Sequence, residues 1–150
     1  MSSADSESLS RIAAGVLGDC AFLLTEPVAE TELQGELIHA SIDIRGDSEG
    51  RLVLSMPRQL ALLVAADMLA ISSDDPEADA LAEGTVAELA NVLVGVLIER
   101  FCAGQACHIG LPSLPREPLP ASANTVTSTL LSDTGDPIRV AWTSSAGTAS

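Results

Sequence analysis

The pattern of this chain predicts an α+β fold, a largely antiparallel β-sheet packed against long α-helices, on three observations. Residues 36–45, ELIHASIDIR, alternate strictly, with Ile38, Ala40, Ile42 and Ile44 on one face and His39, Ser41, Asp43 and Arg45 on the other. RLVLSM resumes the alternation after the turn GDSEG, so the two runs form a β-hairpin, and TVTSTLLS and PIRVAW form a second one across DTGDP. Between the hairpins, an apolar segment with helical spacing starts at SSDDP and runs to about Ala103.

The elements follow in order. Leu9, Ile12, Ala13 and Val16 recur at helical spacing behind the capping residues of ADSES, which predicts a first helix over about 6–18, ended by Gly18. The first hairpin comes next, its β-strand at 36–45 half-buried. Pro57 suits the first turn of a helix, where its missing N–H has no partner to lose, and Leu60, Leu63, Val64 and Met68 make the stripe that follows. The long helix has Asp74 or Asp75 as cap, Pro76 at its first position and Glu77 complementing the positive end of its dipole. QACHIGL reads as a short strand and LPSLPREPLP as a rigid proline-rich loop before the second hairpin. No repeat, heptad seam or long linker interrupts residues 1–143, which form a single domain, and 144–150 form a disordered tail.

The charge balance narrows the chemistry. A net charge of −14, from 21 acidic and 7 basic residues, argues against nucleic acid or an anionic membrane as partner, because both require clustered cations. All the basic residues are Arg; without Lys, Schiff-base catalysis and the P-loop phosphate contact have no side chain to use. Three scattered cysteines, Cys20, Cys102 and Cys107, suit a reducing compartment, and the acidic start MSSADSESLSR is unlike a signal peptide. No uninterrupted apolar run approaches the roughly 18 residues of a membrane span. A cytoplasmic protein is expected.

On the long helix, Val86, Leu89, Ala90, Leu93, Val94, Leu97 and Phe101 share roughly half the circumference at about 100° per residue. The remaining strip carries Gly84, Glu88, Asn91, Gly95 and Glu99. Each mid-helix Gly costs about 1 kcal/mol relative to Ala, so two on one strip beside a carboxylate and an amide suggest that something approaches closely. The same pattern is that of a solvated helix face whose small residues admit a neighbouring helix of the same chain, and the residues alone leave both readings open. Glu88 and Asn91 supply neither a nucleophile with its base nor a metal shell, so any chemistry they perform needs a partner to bring the rest.

In AELANVLVG, a Glu followed three residues later by an Asn on a long helix, with a Pro closing the next strand in HIGLP (Pro112), resembles the signature of the CheC/CheX-type chemotaxis phosphatases. The resemblance covers nearly the whole chain, and the single copy of the motif is closest to CheX. It implies a domain that docks on a phosphorylated CheY-like response-regulator receiver and promotes hydrolysis of its aspartyl phosphate. Asn91 would orient the attacking water and Glu88 would pair with the receiver's lysine, while Gly84, Gly95 and Glu99 would form the docking face. The divalent metal, Mg, would belong to the receiver, with no cofactor of the chain's own, and a homodimer through sheet edges is implied. At Gly84 the chain departs from the family, which commonly has Asp or Ser there. A receiver-binding adaptor without hydrolysis and a dimerisation scaffold are the alternatives.

Other candidates carry less. Cys102, Cys107 and His108 lie near one another, but five residues separate the cysteines and no second pair exists, so buried thiols are expected rather than a metal site. His39 is expected to face solvent or an interface.

Overall fold

The computed structural model describes residues 5–117 and 120–144. Nine elements follow one another: α1 (Ser6–Ala21), β1 (Thr25–Val28), β2 (Leu37–Gly46), β3 (Gly50–Pro57), α2 (Arg58–Leu69), α3 (Pro76–Phe101), β4 (Cys107–Ile109), β5 (Thr125–Ser132) and β6 (Pro137–Ser144). The strands build one six-stranded sheet in the order β1-β5-β6-β3-β2-β4, with every pairing antiparallel. This is the predicted α+β architecture.

The alternating strands aim Ile38, Ala40, Ile42 and Ile44 of β2, Leu52, Leu54 and Met56 of β3, and Ile138, Val140 and Trp142 of β6 into one core with the three helices. α1 joins it through Leu9, Ile12, Ala13, Val16 and Leu17, and is also tied to β5 by a buried hydrogen bond between the Ser10 and Ser128 hydroxyls. α2 contributes Leu60, Ala61 and Val64. Its Arg58 guanidinium reaches across to Asp79 (3.2 Å) and Glu83 (3.5 Å), fastening the start of α2 to the first turns of α3.

Four expectations are corrected. Gly18 does not end α1, which continues to Ala21 and stops where Phe22 turns left-handed (φ 58°). There the Leu23 amide closes on the Leu17 carbonyl (3.1 Å) and Leu23 is buried, a cap whose hydrogen bond and apolar contact offset the cost of a non-glycine in that conformation. Pro57 ends β3 in an extended conformation (ψ 140°), and α2 begins one residue later. β1 was not foreseen as a strand; it pairs only with β5 and contains Pro27, which the ladder tolerates at an edge. Ser144 belongs to β6; the rest of the expected tail, 145–150, lies outside the described residues, as do residues 118 and 119 of the proline-rich loop.

β2 differs most from expectation. His39 and Ser41, on its polar side, are buried to 3% and 6% exposure. The cause is topological: the chain must cross from β1 at one edge of the sheet to β2 near the other, and later return from β4 to β5, and both crossings run over the face opposite the helices. In the first, the Thr31 carbonyl accepts from Arg139 Nη2 of β6 (2.9 Å), and Leu33 is buried. The second leaves the sheet's edge, where Ser113 extends the β4 border by pairing with Ser41 of β2 through both backbone hydrogen bonds, 2.8 Å each, and reaches the face at Pro120 to Ser122. On the same face His39 Nδ1 and Ser55 Oγ share a hydrogen bond of 2.6 Å. Burial, with Arg139 nearby, holds the His39 imidazole below its ordinary pKa.

α3 is long and apolar enough, by length and composition, to cross a membrane, although no uninterrupted run in the sequence suggested it. Here it is the central helix of the core, with nine buried side chains from Ala78 to Phe101.

Candidate functional site

The start of α3 is set by local chemistry. Asp75 stands at the N-cap and its carboxylate accepts from the Glu77 amide (2.9 Å), while Pro76 occupies the first turn, where no intrahelical N–H bond is lost. Thr85 returns its hydroxyl to the Leu81 carbonyl (2.9 Å) and so stays satisfied on the helix surface. From there the two flanks separate. Val86, Leu89, Ala90, Leu93, Val94 and Leu97 are 0–2% exposed, whereas Gly84, Glu88, Asn91 and Glu99 are exposed and Gly95 is half-buried.

The five residues singled out from the sequence therefore lie on one outward strip of one helix. Glu88 and Asn91, three positions apart, are neighbours on its surface. Among the described residues neither side chain hydrogen-bonds or ion-pairs with another, so the carboxylate and the carboxamide keep their full donor and acceptor capacity for something outside the chain. The glycines beside them do not serve internal packing. A Cβ placed on Gly84 or Gly95 meets nothing within 4 Å, which removes the alternative that they admit a neighbouring helix of the same chain.

The remaining candidates fall elsewhere. Cys102 is buried at the end of α3, and Cys107 is half-buried at the start of β4, its Sγ 3.9 Å from the Ser48 carbonyl. Burial pushes the Cys102 thiol above its ordinary pKa, which keeps it protonated and unreactive. His108 is exposed on β4, and His39 is buried on the face of β2 opposite the core. Among the described residues no group of three His, Cys, Asp or Glu side chains is placed to hold a metal ion. Pro112 lies exposed between β4 and the Ser113–Ser41 pairing.

The model of the family described as chemotaxis phosphatase CheX matches residues 38–135. The chain belongs to the CheX family. The match runs from β2 into the turn after β5 and contains all of α3. Solved structures agree in fold. One is a chain of the CheX–CheY–BeF3–Mg2+ complex from Borrelia burgdorferi, with a TM-score of 0.74 and 20% identity over 92% of this chain and 96% of that one. CheX from Desulfovibrio desulfuricans superimposes with a TM-score of 0.69 at 17% identity, covering 93% and 98% of the two chains. CheX from Vibrio vulnificus gives 0.66 at 15% identity, covering 89% and 95%. No curated protein sequence matches the chain. The family expected from AELANVLVG and its surroundings is thus the family found.

The ordered polar face of the sheet, where Arg139 and Arg51 project, is not signalled by any motif in the sequence. The alternation of PIRVAW and RLVLSM placed these side chains opposite the core, but only the positions of β1 and β4 at opposite edges show that the chain passes over them.

Proposed function

We propose that this CheX-family protein is a cytoplasmic phosphatase for an aspartyl-phosphorylated, CheY-like response-regulator receiver, with Glu88 and Asn91 as its catalytic pair. The observation that carries the proposal is the outward, unpartnered placement of both side chains on α3, with open space at the flanking glycines. The CheX–CheY complex in a fold relative, which contains Mg2+, supports a receiver as partner and the receiver as the source of the divalent ion.

The chemistry asked of this chain is small. In a receiver the acyl phosphate sits on the receiver's own metal and lysine, so the electrophile is already polarised and only water needs placing. The Asn91 carboxamide can accept from that water through Oδ1 and donate through Nδ2, holding it in line with phosphorus. Attack forms a P–O bond to water and breaks the P–O bond to the aspartate, releasing inorganic phosphate and a free carboxylate. Glu88 pairs with the receiver lysine and anchors the complex. Gly84, Gly95 and Glu99 form the rest of the docking strip, the glycines letting the helix enter the receiver's phosphorylation cleft. A homodimer joined through sheet edges is part of the proposal.

An adaptor that binds without hydrolysis is the second reading, favoured by Gly84, which presents no polar group where the family commonly has one. Decay of a phosphodonor-labelled cognate receiver separates the two. Faster decay with the protein, abolished by Asn91→Ala while binding persists, is the result expected of the phosphatase. Unchanged decay with retained binding marks the adaptor, and absence of binding leaves a scaffold.

A further inference from the structure

On the face of the sheet opposite the helices, strand register places side chains in rows. Thr129, Arg139, Ser55 and His39 form one row across β5, β6, β3 and β2; Thr127, Ala141, Val53 and Ser41 form the next; Thr125, Thr143, Arg51 and Asp43 form the third. The β1–β2 crossing reaches the first row at Arg139, whose Nη2 donates to the Thr31 carbonyl. At the other end the β4–β5 crossing lies over the sheet at Pro120 to Ser122. Between the crossings is a cavity of about 710 Å³, inside the roughly 300–1,000 Å³ range of small-molecule sites. Val53 and Ala141 supply its small apolar floor, and Arg139 stands where the floor meets the first crossing.

The charges in the cavity are not equivalent. Asp43 is held by Arg51, Nε to Oδ1 at 2.6 Å, so that pair is internally neutralised. Glu30, Glu49 and Arg45 also line the space, with Arg45 exposed at its rim. Arg139 is different. Among the described residues it forms no ion pair, donates only Nη2 to the Thr31 carbonyl, and keeps Nε buried without any acceptor. A guanidinium has five N–H donors, and a buried donor left unmade costs about 1–3 kcal/mol. What sets Arg139 apart from the other arginines without an ion pair is its place at the floor of the cavity with a buried, unpaired Nε, and a group that suits a guanidinium is a planar anion.

We propose that this cavity binds a small organic carboxylate, its anionic head on Arg139 and its apolar body over Val53 and Ala141. The head accepts from Nη1, which has no acceptor among the described residues and, unlike Nε, is open to solvent, and the floor excludes water from the body. The site is on the side of the sheet away from α3 and is independent of the receiver-docking strip.

Titration of the full chain with benzoate, followed by amide chemical shifts, tests the proposal, with benzamidine as a ligand of the same shape and opposite charge. Benzoate is expected to give saturable shifts centred on Thr127, Arg139 and Ala141, with a dissociation constant in the millimolar range or tighter. Arg139→Gln weakens binding about tenfold, the effect of losing about 1.4 kcal/mol. Ala141→Phe, which fills the floor and leaves Arg139 in the chain, abolishes binding while thermal unfolding shows the domain intact. Shifts that never saturate, equal binding of benzamidine, or benzoate binding unaltered in both variants would each overturn the proposal.

Discussion

The two flanks of α3 share a backbone and a sequence but answer to different demands. Leu89 and Leu93 are each 2% exposed among core side chains from three helices and the sheet, while Glu88 and Asn91, a residue or two away, are exposed and form no hydrogen bond or ion pair among the described residues. The lesson is that this helix keeps its core packing and its proposed docking strip on separate surfaces, so a substitution on one flank should leave the other's property untouched.

The largest expected effect tests the inward flank. Leu93→Ala removes a buried side chain from a packed core and should cost about 2–5 kcal/mol, read as a lowered midpoint in urea unfolding. If the cost were below about 1 kcal/mol, α3 would not be the central core helix described here. Next comes Asn91→Ala. Its stability should stay within about 0.5 kcal/mol of the parent, the usual range for an exposed site, while the acceleration of receiver dephosphorylation falls by about 100-fold. A parallel loss of stability would break the separation of flanks. Smaller again, Gly84→Ala and Gly95→Ala should each raise stability by about 0.5–1 kcal/mol, since both glycines are mid-helix and a Cβ meets open space at both. Receiver binding measured on the same variants sharpens the comparison, because a methyl group that helps the helix should hinder the approach of a cleft. The smallest effect belongs to Arg58→Ala. Its ion pairs with Asp79 and Glu83 join partners more than half exposed, so thermal unfolding should register about 0.2–1 kcal/mol, less at high salt.

The physical basis of each expectation decided how legible it was in the sequence. α3, the two hairpins and the residues of the outward strip follow from local periodicity and capping, which act over a few residues and are written in the text. Gly84 and Gly95 were ambiguous because an open space and a neighbouring helix ask for the same small residue; only the surrounding coordinates distinguish them. The end of α1 at Phe22 depends on the burial of Leu23, a tertiary contact that outweighs the local preference for stopping at Gly18. His39 was misplaced for a longer-range reason. Alternation shows which side of β2 it occupies, yet what lies over that side is set by where β1 and β4 sit in the sheet, and β1 is a four-residue strand containing a proline. The pair Glu88 and Asn91 was legible as a candidate site only through family resemblance, because one carboxylate and one amide supply no nucleophile with its base and no metal shell of their own.

The unequal borders of the sheet limit how copies of this molecule can associate. β1 carries Pro27, whose missing N–H blunts that border, whereas the opposite border is formed by the three-residue β4, with Ile109 partly uncovered. Two copies that met through β4 would each consume the one border able to accept a strand. Growth would stop at a closed pair, and an indefinite ribbon of added molecules would have nowhere to extend.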